Sequence, residues 1–294
     1  MRHVLLVLSA SVLFGTTGTT QTFAPDAATS LSVGSVRMVA GGALMALLGY
    51  VNHRRAGSRS PRPAPGRGGR LPTWLALGGA GLGMALYQVT FFAGTRANGV
   101  AVGTIITLGS APLAAGLGDW LIRRQRPGRP WLVATGLAVV GVVLLSGAAG
   151  DVHVVGVALS AGAGLAYAVE LVLLKIVLDR GWRSSDAVSW VMGVGAVLTL
   201  PVLVAGDASW VATPRGAAVA TWLAVATIVA AYQFLALGLT GLPAATVTTL
   251  TLAEPATATI LGLVVLHEHL TMTGLAGVLA IAGGLVILAR STGR

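Results

Sequence analysis

Glu254 lies in "TLAEPATATIL" and Arg37 in "GSVRMVAGG", an acid and a base each set among residues that belong in a core or a bilayer. An ionised group in such surroundings has to be paired, hydrated by a water-filled cleft, or put to use. A guanidinium there can grip a carboxylate or other anionic group. A carboxyl can exchange a proton or contact a solute. Two plainer roles stay open: an Arg37 whose head reaches outward to water, and a buried Arg37–Glu254 pair. Glu170 is a further isolated acid, placed to line the inner part of a cleft or to meet a loop arginine. The dipeptides Tyr87–Gln88 and Tyr232–Gln233 add hydroxyls and amides, suited to orienting a zwitterion or to fastening helices. Pro112 and Pro255 each remove a helical hydrogen bond and permit a bend beside these groups.

No other chemistry rises from the residue types. The chain has no cysteine, which excludes disulfides and thiol catalysis. His267–Glu268–His269 lacks a further ligand and sits at the edge of an apolar stretch, so no metal site is expected. No nucleophile-and-base arrangement or phosphate loop is present. No catalytic residue and no cofactor are expected.

The elements that must position these groups are apolar stretches at roughly 4–22, 31–51, 72–93, 101–121, 131–149, 154–174, 187–205, 217–239, 243–265 and 272–289. A hydrocarbon core about 30 Å thick takes about 20 apolar residues of helix. Backbone groups in that core find no water, so the segments must be helical. The fold class is therefore all-α integral membrane with ten transmembrane helices. Hydrophobic residues at 55% and charged residues at 10% exclude a soluble globular domain. The longest polar stretch, Asn52–Arg70, leaves no room for an extramembrane domain, and its Pro/Gly-rich basic sequence reads as a linker against anionic lipid.

The net charge of +10 reflects orientation rather than nucleic-acid binding. Lys and Arg collect in alternate gaps, around Arg54–Arg70, Arg123–Arg129, Lys175–Arg183 and the C-terminus, while only Arg96 and Arg215 fall in the opposite gaps. Both termini are thus expected in the cytoplasm, and Lys175 is expected to extend its head inwards to the cytoplasmic water. Arginine-rich, Ala/Gly/Val-rich composition suggests a bacterial inner membrane. The expected partners are the lipid bilayer, a small-molecule solute and a coupling proton, and a homodimer stays open.

The halves echo each other. "LSA" at Leu8–Ala10 returns at Leu159–Ala161, the Tyr-Gln pairs return, and Pro112 and Pro255 follow them at similar distances. Two copies, 1–149 and 150–294, with five spans each must be inverted relative to one another, an architecture recurrent in transporters with midplane sites. In "LFGTTGTTQTFAP" at 13–25, Arg37 followed by "MVAGGAL", and "LAEPATATILGLVVLHE" at 252–268, the chain resembles an EamA-type member of the drug/metabolite transporter superfamily. It departs from that pattern at Gln125, where the second copy has Glu268, and in the distance of Arg37 from Pro25. The resemblance implies a secondary carrier, most often an exporter of amino acids or other small metabolites. A membrane enzyme would need clustered His, Asp, Ser or Cys at an interface, and the chain has no such cluster; a channel-like membrane subunit stays open, and saturable flux in proteoliposomes would separate a carrier from both.

Overall fold

A computed structural model describes residues 1–56, 71–121, 124, 127–145, 153–267 and 271–292. Gln125, Glu268, His269 and most of the basic linker lie outside those residues. Ten helices are present among the described residues: α1 (Arg2–Thr22), α2 (Ser30–Ala56), α3 (Thr73–Gly99), α4 (100–121), α5 (Arg129–Leu145), α6 (Val154–Asp179), α7 (Ser184–Ala205), α8 (Pro214–Gly241), α9 (Ala244–Val265) and α10 (Met272–Thr292). Eight are long and apolar enough to cross a membrane, and Arg129–Leu144 is a shorter apolar segment. The chain is a multi-pass membrane protein.

Three helices differ from the expected spans. The third was expected to end near residue 93, but α3 runs on to Gly99, whose φ of 80° lets the chain reverse directly into α4. Gly103 then lies against Thr95, where a Cβ would come within 2.7 Å of its methyl group. The eighth carries a π-helical turn at Val225–Ala230, and Ile228 from that turn fills the space left by Gly41 of α2. The ninth is divided into Ala244–Leu250 and Ala253–Val265.

Helices meet through small residues, as expected where lipid offers no hydrophobic driving force. A Cβ on Gly42 of α2 would lie 2.5 Å from the Met192 carbonyl of α7, and one on Gly15 of α1 would lie 2.9 Å from the Glu254 carbonyl of α9. In α6, Gly164 faces the Thr107 carbonyl of α4, and Glu170 of α6 packs over Gly83 of α3. Gly141 of α5 sits on Gly277 and Ile281 of α10, while Gly284 of α10 sits on Ala134 and Ala138 of α5. These residue pairs are related by the same chain offset that relates Pro112 to Pro255.

Packing density is uneven along the bundle. Val4 to Gly15 supply all the buried positions of α1, residues 244–253 of α9 are all buried, and the last turns of α6 are buried from Leu174 to Leu178. Beyond Gly15 in α1, and beyond Ala253 in α9 except for Gly262, no residue is fully buried. One end of the bundle is closed by side-chain bonds: Lys175 Nζ donates to the Thr240 carbonyl at 3.2 Å and pairs with Asp179 at 2.8 Å. Arg180 donates to Thr73 Oγ1 at 2.8 Å, and His3 Nδ1 lies 3.1 Å from the Leu237 carbonyl. Lys175 was expected to reach out towards water; instead it is buried, because a carbonyl and a carboxylate one turn away satisfy its charge.

At the opposite end, Trp210 Nε1 donates to Ser32 Oγ at 2.7 Å, and Ser32 Oγ donates to the Asp207 carbonyl. The Ser209 amide donates to the Asp207 carboxylate at 2.8 Å and holds that carboxyl below its ordinary range.

Candidate solute-binding site

The interruption of α9 follows from Pro255. Its ring cannot accommodate a carbonyl one turn back, and it has no N–H to offer the Thr251 oxygen. That oxygen instead accepts from the Glu254 amide at 2.9 Å, and Thr249 accepts from Leu252 at 3.2 Å, so the chain tightens to a turn of three residues. The second segment then restarts at Ala253, with Glu254 in its first turn. An N-terminal first turn has amide groups without helical partners and a partial positive charge. Pro255 was expected to free a carbonyl for a solute. The structure gives the Leu250 carbonyl to Ser11 Oγ of α1 at 3.3 Å, and within the new helix Pro255 occupies a first-turn position where its missing N–H costs nothing.

Glu254 is half-buried, as are Arg37 of α2 and Tyr87 of α3. Three residues from three helices converge: Tyr87 feels the charges of both Glu254 and Arg37, and Glu254 feels Arg37. Arg37 and Glu254 do not form an ion pair within 4.0 Å, and the buried Nε of Arg37 has no acceptor. A base and an acid are thus held near one phenol without touching each other.

Glu170 is 0% exposed, and both its carboxyl oxygens are buried without a hydrogen-bond partner. It acts electrostatically on Tyr87, Tyr167 and Tyr232, from α3, α6 and α8. The rings of Tyr87 and Tyr167 are 5.6 Å apart, Phe91 stacks on Tyr87 at 5.7 Å, and Phe14 meets Tyr232 edge-on at 5.2 Å. The Tyr232 hydroxyl lies 3.3 Å from Met84 Sδ, one helical turn from Tyr87 along α3. Both tyrosines of the repeated dipeptide therefore face the interior, at different levels.

Their glutamine neighbours face elsewhere. Gln88 is buried and donates to the Gly34 carbonyl of α2 at 3.4 Å, and Gln233 Nε2 lies 3.3 Å from Met45 Sδ of the same helix. Both fasten α2 in place, the second of the two roles expected for them. Pro112 is buried in an unbroken stretch of α4.

Two residues escaped the sequence reading. Tyr167 precedes Glu170 by three residues and so shares its helix face, a spacing visible in "LAYAVE". Asp119, alone at the end of the apolar α4, accepts from the Ala245 amide at 2.9 Å and caps the first segment of α9. Trp131 Nε1 donates to the Ala245 carbonyl at 2.9 Å, and Thr135 meets Thr249 at 2.8 Å. Among the described residues, no three His, Cys, Asp or Glu side chains gather as a metal site would require.

The EamA-like transporter family matches residues 1–147 and again residues 154–290. The chain belongs to the EamA-like transporter family. It is 35% identical over 289 residues to a Bacillus subtilis (strain 168) protein named "Uncharacterized transporter YwfM", an alignment covering 97% of this chain and 93% of that one. A crystal structure 16% identical to it superposes with a TM-score of 0.79, covering 99% of this chain and 98% of the other, which is a likeness of fold. This EamA-like protein is a membrane transporter.

Proposed function

We propose that this EamA-like protein is a secondary carrier that exports amino acids or other small metabolites across a bacterial inner membrane by alternating access. The observation that carries the reading is the interrupted α9, which sets Glu254 in the first turn of a half-helix beside an unpaired Arg37 and Tyr87. Discontinuous helices with exposed half-helix ends are a recurrent means of binding solutes at mid-membrane. Arg37 would take an anionic group of the solute, Glu254 a cationic one, and Tyr87 would orient the molecule between them.

Alternating access is supported by the contact pattern between halves. Helix α1 packs on α8 and α9, and α6 packs on α3 and α4, while α2 meets α7 and α5 meets α10. Such reciprocal pairing, with Gly141 and Gly284 exchanging equivalent contacts, is what two inverted five-helix repeats produce. In this reading the tightly packed end bearing Lys175, Arg180 and His3 is cytoplasmic, and the half-exposed end faces out.

Two experiments test it. Proteoliposomes containing the purified protein should show saturable flux of a labelled amino-acid mixture, and cells lacking the gene should retain a metabolite that overexpressing cells release. Flux that rises linearly with concentration would favour a channel. For orientation, Ser209→Cys should react with an impermeant thiol reagent in whole cells and Ser58→Cys should not; the reverse labelling would invert the topology.

A further inference from the structure

Among the described residues, two buried acids stand apart from the solute site, Asp119 and Glu170, and of these Asp119 is bonded to the Ala245 amide. Among those same residues the two carboxyl oxygens of Glu170 meet no donor, and none of its surface is exposed. An ionised carboxylate sealed from water without a hydrogen-bond donor is strongly disfavoured, whereas the neutral acid is tolerated far better. We propose that Glu170 carries the coupling proton, held in this conformation as a carboxylic acid beneath the tyrosine layer and exchanged with water on either side as the two ends open in turn. The proposal rests on the carrier reading above and names its coupling element.

The surroundings of Glu170 separate this role from solute binding. The titratable groups that face it are phenols: Tyr87 from α3, Tyr167 from its own helix and Tyr232 from α8. Arg37 of α2 also acts on Tyr87 and Tyr232, and Glu254 of α9 on Tyr87 and Tyr167, yet neither forms a hydrogen bond with Glu170. Lys175, on the same helix but about 140° around it, is committed to Asp179 and the Thr240 carbonyl. Asp119 of α4 is bonded to Ala245, and Asp186 of α7 receives the Ser185 hydroxyl. No described cation is therefore placed to neutralise a Glu170 carboxylate, and a proton is the counter-charge that fits.

In the cycle, hydronium from the outer cleft gives its proton to a Glu170 carboxylate oxygen when the Tyr87–Tyr167 layer parts. The O–H passes that proton to cytoplasmic water after the bonds from Lys175 and Arg180 release the inner end. No other bond changes. The location also explains the Gly83 contact. A Cβ there would press to 3.3 Å from the Glu170 Cβ and 2.8 Å from the Ala166 carbonyl, so α3 lies close against α6 at the level of Glu170.

Infrared spectroscopy of the whole protein in lipid, without any solute, reads the proton directly. Wild type and Glu254→Gln should both display a protonated-carboxyl C=O band at neutral pH that Glu170→Gln lacks. Glu170→Asp should shift the band rather than remove it, and it serves as the deciding variant if circular dichroism finds Glu170→Gln unfolded. An unchanged band in Glu170→Gln, or an unshifted one in Glu170→Asp, overturns the proposal. In proteoliposomes supplied with a labelled amino-acid mixture, Glu170→Gln should keep exchange at equal pH and lose at least tenfold of the accumulation driven by a pH gradient. Gradient-driven accumulation equal to wild type would also overturn it. If wild-type protein moves no amino acid, the exporter reading fails, while the infrared result still decides Glu170.

Discussion

Helices α4 and α9 each carry a proline, yet only α9 is interrupted. Pro112 lies inside a helix that continues through it, pressed by α6 through Gly164. Pro255 lies at the start of a restarted helix, because the preceding residues, including Thr248 and Thr251, bend into a tight turn with their hydroxyls bonded to carbonyls three or four residues back. The residue just before each proline differs as well: buried Ala111 in α4, half-buried Glu254 in α9. A proline therefore does not by itself make a binding turn. The helix around Pro112 is apolar and continuous, and the one around Pro255 is charged and interrupted.

That contrast can be broken most severely at the glycines supporting each helix. A Cβ on Gly15 would come 2.7 Å from Thr257 Cβ, and one on Gly164 would come 2.5 Å from the Thr107 carbonyl. Gly15→Val and Gly164→Val should each lower stability by about 1–3 kcal/mol or more from overpacking, read as loss of monodisperse protein on heating in detergent. Gly15→Val should also abolish transport, since it moves the Glu254 turn.

Asp119→Ala comes next. It strips the cap from the first segment of α9 and leaves the Ala245 amide buried, for a loss of about 1–3 kcal/mol in thermal unfolding. Asp119→Asn should recover part of it.

Arg37→Gln and Glu254→Gln should sharpen the comparison from the functional side. Each should cut transport about tenfold or more through a lost charged contact worth about 1.5–3 kcal/mol, with stability changed by only about 0.5 kcal/mol. Restoration of transport in the double variant would make the two a structural pair instead. The smallest effect is expected for Pro112→Ala, within about 1 kcal/mol and with transport unchanged, because α4 already accommodates the missing bond.

Much of this was legible in the sequence for a simple reason. Hydropathy is averaged over about 20 residues, so the ten helices and the membrane setting survive local ambiguity. The Tyr87, Tyr232, Arg37 and Glu254 positions stood out because polar groups are conspicuous in apolar runs. What stayed hidden depends on which neighbour a residue meets. Nothing in "YQ" says that its tyrosine turns inward while its glutamine fastens α2. Lys175 looked like a surface-seeking cation because its carbonyl partner, Thr240, lies on a helix distant in sequence. The extension of α3 to Gly99 was missed because its last turns are polar, and the division of α9 because Pro255 acts on the residues before it.

The short segment Ala244–Leu250 has one more consequence. Its chain position puts it in the second half, yet Asp119, Trp131, Thr135 and Ser11, which bond its backbone and Thr249, all belong to the first. In mechanical terms this piece is fastened to residues that precede it by more than a hundred positions. In the alternating-access reading proposed above, this piece should travel with α4 and α5 as part of their rigid body. The bending would then concentrate at Thr251–Leu252, which makes that turn an axle, with Glu254 the second residue on its moving side.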